Sequence, residues 1–170
     1  AISAAIFDGV TNTIVYSVLP ATERFLALQR GDVDVLSRIT TVTLERDVNE
    51  PATKTGFSFT QPNFYDGLGF GGIPPYGDCA NRRDSVSAAC VGLRICVNNG
   101  TTFSSRVADL FDEANIVRKQ SGDLAIEGLA NGDCNAIAGG VADLALSNVQ
   151  TIGQYTGPYE VGNTLYSKDP

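Results

Sequence analysis

Histidine is absent from this sequence, and its absence removes much of ordinary active-site chemistry. A Ser-His-Asp triad, a His-ligated metal and an imidazole acid–base group are all excluded. Proton transfer is left to carboxylates, tyrosines, cysteines and three lysines, with no convincing pair of carboxylates in the pattern. Neither an enzyme nor a cofactor or metal site is expected. Also missing is any apolar run near the roughly 18 residues that cross a bilayer. The first nine residues, "AISAAIFDG", have no basic front end and are too short for a secretory leader. They read as the last turns of a helix closed by Gly9, so the chain is expected to begin inside an element, as a fragment or processed form. Basic residues are few: 12 Lys and Arg stand against 19 Asp and Glu, for a net charge of −7. That balance argues against a nucleic-acid partner, because phosphate binding needs a basic face.

The four cysteines, at 79, 90, 96 and 134, include no C-x-x-C pair, so zinc and redox spacings are missing. Cys79 and Cys90 bracket a polar loop, "CANRRDSVSAAC", while Cys96 and Cys134 sit in the apolar runs "RICV" and "CNAIA". Disulfides joining 79 to 90 and 96 to 134 are expected, with four buried free thiols as the alternative. Disulfides in turn imply an oxidising, extracytoplasmic location, periplasmic or secreted.

Along the chain, "TIVYSVL" (13–19) carries a strand signal and "TERFLALQRG" a helix with Thr22 as N-cap and Gly31 beyond its end. "VDVLS" (33–37) is a second strand, completing a βαβ unit with parallel pairing. A short helix fits 43–49, and "GFSFT" and "GLGFGG" read as strands. The latter matches G-x-G-x-x-G, but "IPPYGD" follows, and consecutive prolines cannot open the helix that would meet a pyrophosphate. Its glycines are instead expected to permit close backbone approach. After a Pro-, Gly- and Cys-rich boundary at 73–91, strands at 93–97, 115–119 and 134–138 alternate with helices at 101–114, 122–132 and 141–149. "NTLYSK" makes a late strand. The fold class is α/β, two βα-repeating lobes meeting near residue 73.

In such sheets ligands bind beyond the carboxyl ends of the strands. Two strand exits share a character here: "VDVLS" runs into "RITTVTLER" and "RICV" into "NNGTT". Threonine hydroxyls and free helix amides there suit an anion or zwitterion, and Arg46 suits a carboxylate with two parallel bonds. Ordinary helix capping is the competing explanation for such threonines.

The stretches "ERFLALQRGDVDVLSRITTVTLERD", "FYDGLGF" and "ICVNNGTT…GDCNAIA" resemble the type 2 periplasmic solute-binding proteins (extracellular solute-binding family 3), in the branch of general L-amino-acid-binding components of ABC importers. The resemblance implies two lobes that close on an amino acid, with residues 1–73 a partial lobe 1, 74–160 lobe 2 with a disulfide loop at 79–90, and 161–170 the start of a return to lobe 1. Lobe 1 would be incomplete, its first strand and most of the return missing. It makes Arg46 the clamp on the ligand α-carboxylate, assisted by Thr41 and, from the opposite lobe, by Thr102 with Thr101. The cysteines at 96 and 134 also match a pair found in this branch. Two departures stand out: the family's ammonium-binding aspartate falls at Gly140, with Asp143 one helical turn away, and a polar side chain falls at Ile39. Asn99-Gly100-Thr101 is a glycosylation sequon beside the expected cleft.

These residues support an extracytoplasmic binding protein for an amino acid or related small carboxylate, with a membrane permease as partner. The alternative is a ligand-free structural or interaction module on the same fold, with copies of itself or another chain completing lobe 1.

Overall fold

The computed structural model describes residues 14–47, 56–62, 64–148 and 160–161. Its centre is a five-stranded sheet in the order β3-β2-β4-β1-β5, formed by β1 (Leu68–Gly72), β2 (Ile95–Asn98), β3 (Ile116–Lys119), β4 (Ala136–Gly140) and β5 (Glu160–Val161). β2 runs parallel to both β3 and β4, whereas β1 is antiparallel to β4 and β5. β1 precedes the boundary placed at 73, yet it is hydrogen-bonded into the same sheet as the later strands.

Alternation along the central strands sorts the core into two layers. On one face Phe70, Ile95, Val97, Ala136 and Ala138 meet α3 (Tyr76–Asn81) and α4 (Thr102–Leu110). On the other, Cys96 and Ile137 meet α5 (Gly122–Ala130) and α6 (Val141–Asn148) through Ala125, Leu129 and Leu144. Helix starts follow local chemistry. Thr101 Oγ1 accepts from Ser104 N at 3.1 Å, and Ser121 Oγ from Leu124 N at 3.1 Å. Each satisfies an amide that the first helical turn leaves open.

The glycines of "GLGFGG" do permit close approach. A Cβ on Gly72 would lie 2.7 Å from Asn135 O and 2.9 Å from Ala136 Cα. β1 leads through Pro74 and Pro75 into α3, not directly into a phosphate-binding helix.

Both expected disulfides are present, Cys79–Cys90 and Cys96–Cys134. All four cysteines are buried; Cys79, in α3, and Cys90 belong to the layer between the sheet and α3 and α4, and the second pair to the layer under α5 and α6.

The first segment departs from expectation. Helix α1 (Arg24–Arg30) forms and ends at Gly31 in the left-handed conformation. Thr22 is not its cap: the carbonyl of Pro20 accepts from the amides of Glu23 and Arg24, and Glu23 holds the cap position. Residues 14–19 and 33–37 form no strand, nor does "GFSFT", so the expected βαβ unit is absent. A β-branched run needs a partner ladder to become a strand. Val15, Tyr16 and Val18 are at least 87% exposed, with no neighbouring strand among the described residues. A short helix, α2 (Leu44–Asp47), does form within 43–49. The expected helix at 1–9 and the late strand "NTLYSK" lie outside the described residues.

The Cys96–Cys134 bridge closes a 38-residue separation between β2 and the approach to β4. The double change Cys96→Ala/Cys134→Ala is expected to lower stability by about 3–4 kcal/mol in urea unfolding; a loss below about 1 kcal/mol would show that strand pairing alone fixes this layer.

Candidate functional site

The two threonine-rich strand exits do come together. Thr41 Oγ1 lies 3.2 Å from Thr102 Oγ1, so the first segment and the start of α4 touch directly. Arg46 Nη1 donates to Thr41 O at 2.9 Å, which places its guanidinium behind that contact. Thr101 plays a different part. Its hydroxyl donates to Asn98 O at 2.7 Å and accepts from Ser104 N, so it is committed to capping α4. Asn99 is half-buried, and its amide donates to Lys119 O at 2.8 Å. A second contact lies beside the first: Gly100, at φ 72°, packs so closely on Thr22 that a Cβ would meet its Cγ2 at 2.9 Å and its Cα at 3.1 Å.

Sharing a phenylalanine ring with Arg46 is a group that sequence reasoning overlooked. Arg24 lies in the first turn of α1 and received no reading from the sequence. It is in fact only 2% exposed. Its guanidinium carbon sits 4.8 Å from the centroid of the Phe25 ring, and that of Arg46 lies 4.8 Å from the same centroid. The ring is held in turn by Phe57, 4.9 Å away, whose amide donates to Arg46 O. Arg38 adds a third charge and donates to Leu19 O at 2.6 Å. The Arg24 pKa is lowered to about 10, first by burial and then by the Arg46 and Arg38 charges. Burial also lowers that of Arg46, with Glu45 opposing. No ion pair among the described residues neutralises any of the three.

Buried polar atoms are nearly always hydrogen-bonded, so an orphan needs a cause. Among the described residues four side-chain atoms are buried without a partner: Arg24 Nε, Thr40 Oγ1, Asn98 Oδ1 and Asn81 Oδ1. Arg24 belongs to the guanidinium cluster, Thr40 adjoins Thr41, and Asn98 ends β2 just before Thr101. Two of the four thus stand next in sequence to the elements that form the Thr41–Thr102 contact.

An acidic counterpart lies at the end of β4. Asp66 occupies the space beside Gly140: a Cβ built there would collide with Asp66 Oδ2 and lie 3.5 Å from Asp143 Oδ2. Asp66 Oδ1 accepts from Gly67 N at 2.9 Å and from Ala142 N, in the first turn of α6, at 3.3 Å. Burial, then the Asp66 charge, pushes the Asp143 carboxyl above its ordinary range. The sequence offered one signal for Asp66, the aspartate of "FYDGLGF", but no spacing linked it to Gly140 seventy-four positions on. Ile39, at the other departure, is 68% exposed.

No family model matches the chain. It is 38% identical over 118 residues to the general L-amino acid-binding periplasmic protein AapJ of Rhizobium johnstonii, covering 68% of this chain and 30% of that protein. It is 34% identical over 143 residues to the putative amino-acid ABC transporter-binding protein YhdW of Escherichia coli, covering 81% of this chain and 38% of that one. Among solved structures, a periplasmic binding protein of an ABC transporter from Brucella ovis, with glutathione bound, superposes with a TM-score of 0.63 at 28% identity. That match covers 91% of this chain and 46% of the other. The chain thus spans about a third of the length of these two curated relatives.

Two outcomes follow from this geometry. Gly100→Ala would force a Cβ onto the Thr22 backbone at a left-handed φ, and is expected to cost about 1–3 kcal/mol. It should also expand the molecule in small-angle scattering; an unchanged profile would mean that Thr22 yields without the segments parting. Asp143 has a raised folded pKa, so its contribution to stability is present at acid pH and is lost as pH rises through that value. The melting-temperature difference between Asp143→Asn and wild type should therefore grow in favour of the variant as pH rises past about 4, and a constant difference would contradict the assignment.

Proposed function

Because this chain belongs to the type 2 periplasmic solute-binding proteins, in the general L-amino-acid-binding branch, we propose that it binds an amino acid and hands it to an ABC importer. The observation that carries this reading is the junction of Arg46, Thr41 and Thr102, where two separate parts of the chain bring a guanidinium and hydroxyls together. Arg46 receives the α-carboxylate through charge-assisted bonds, each of about 1.5–3 kcal/mol. Thr41 and Thr102 exchange their mutual bond for bonds to the ligand, and the amides at the start of α4 add positive potential. Residues up to the entry of β1 act as one lobe and the later ones as the other.

The α-ammonium is received by Asp66, with Asp143 beside it. This resolves the departure at Gly140, because the carboxylate comes from the entry of β1 instead of the end of β4. A side chain at 140 would displace the Asp66 carboxylate from its present position. Both disulfides suit a protein that works outside the cytoplasm, and relatives named as ABC transporter-binding proteins support a membrane permease as partner.

Isothermal calorimetry with a panel of L-amino acids and simple carboxylates tests the proposal. Binding to at least one amino acid is expected. Arg46→Gln should weaken it roughly 100-fold, and Asp66→Asn about 10- to 100-fold, since each leaves a ligand charge unpaired. Silence across the panel would remove the proposal and favour a ligand-free interaction module.

A further inference from the structure

The aspartate at the entry of β1 has a second carboxylate for a neighbour. Asp66 Oδ2 and Asp143 Oδ2 both come within 3.5 Å of one point, the place that a Cβ on Gly140 would take. The other Asp66 oxygen accepts the amides of Gly67, at 2.9 Å, and Ala142, at 3.3 Å, which fixes the carboxylate with Oδ2 on the Gly140 side. β1 and β4 carry no titratable side chain, and Asp143 is the one charged residue of α6. In β5, Glu160 is in register with Gly72, at the opposite end of β1 from the Leu68–Gly140 pair. The titratable residue next to Asp66 in the chain is Tyr65. A like charge this near favours a bound proton, and that proton belongs to the pair. Burial, then the Asp66 charge, accordingly pushes the Asp143 carboxyl above its ordinary range. Both side chains reach solvent, so the pair exchanges protons with the medium.

We infer that amino-acid capture at this pair is proton-linked: the arriving α-ammonium expels a proton held by Asp66 and Asp143, and an acid medium drives the ligand off. The inference rests on the amino-acid-binding reading above and concerns the regulation of that same site. The exchange balances, because one positive charge enters and one proton leaves to solvent, with no covalent bond of the ligand changed. Its sign follows from linkage. A proton favoured in the unliganded protein and disfavoured beside an ammonium is released on binding. Affinity is then greatest where the pair is already ionised, and it declines as pH falls through the range where the unliganded pair takes up its proton. The effect is reciprocal: the ligand weakens proton binding by the factor by which the proton weakens ligand binding.

Calorimetry on the full chain with L-glutamine, L-alanine, L-leucine and L-arginine tests this, because their side chains do not titrate between about pH 4 and about pH 7. Each titration is run at both pH values in two buffers of unequal ionisation enthalpy, which counts the protons released. An amino acid that binds is expected to release none at about pH 7 and more than about half a proton at about pH 4, where a lone ordinary aspartate gives at most about half. Its affinity should fall at least about twofold between the two. Asp143→Asn leaves Asp66 without a like charge and should lower the proton count at acid pH, whereas Asp143→Glu should keep it. Binding that releases half a proton or less at the acid pH would overturn the inference, leave the amino-acid reading intact, and need no variant that folds. An Asp143→Asn protein that releases as many protons as the unaltered one would overturn it too. Silence with all four amino acids at both pH values would remove this inference together with the reading beneath it.

Discussion

A strand pair with almost no side chains holds the candidate site in place. β1 and β4 meet in the register Leu68↔Gly140, Gly69↔Gly139, Phe70↔Ala138, Gly71↔Ile137 and Gly72↔Ala136, so every large residue faces a small one. The small residues let neighbouring helices close on the sheet: a Cβ on Gly69 would strike Val141 Cγ2 at 2.8 Å, and one on Gly72 would reach Gly77 N at 3.0 Å. A slip of one residue would turn each strand's buried set to the opposite face. The register is therefore rigid, and it delivers Asp66, two residues before β1, to the bare end of β4 at Gly140. The carboxylate is positioned by backbone packing, with two amides fixing its orientation.

The later part of the fold was legible because its signals are local. "LRICV", "NIVRK" and "CNAIA" are apolar runs in register with amphipathic helices, and Thr101 and Ser121 mark helix starts through their own hydroxyls. The earlier strands were not legible for the converse reason. "TIVYSVL" and "VDVLS" have the composition of strands, but composition cannot supply the neighbour whose amides complete a ladder. The site divides along the same line. Arg46 and the threonines stand out by their place after an apolar run. Arg24 and Asp66 gain their meaning from tertiary contacts, one buried by Phe25 and Phe57, the other carried to Gly140 by strand pairing.

Charge is segregated within a molecule whose net charge is −7. Arg24, Arg38 and Arg46 all come from the first segment, Arg24 and Arg46 over the ring of Phe25, while Asp66 and Asp143 flank the junction of β1, β4 and α6. The overall acidity is spread over solvated positions, such as Asp84, whose carboxylate accepts the Val86 and Ser87 amides, and Asp133, which pairs with Lys119. Those acids settle loops and surfaces. Among the segregated groups, Arg24 Nε is buried without a hydrogen-bond partner among the described residues, and such an orphan calls for an explanation.

The Cys79–Cys90 clip has a practical meaning for anyone building on this scaffold. Both sulfurs are fully enclosed, and the chain between them emerges as the polar stretch 82–89, with Asp84 tying its turn together. Its two ends are welded at the base, so whatever is grafted onto the tip cannot pry the core apart. A fluorophore, an epitope or a small inserted module placed there would ride on a covalent pedestal, remote in sequence from the threonines and arginines whose occupancy it would report.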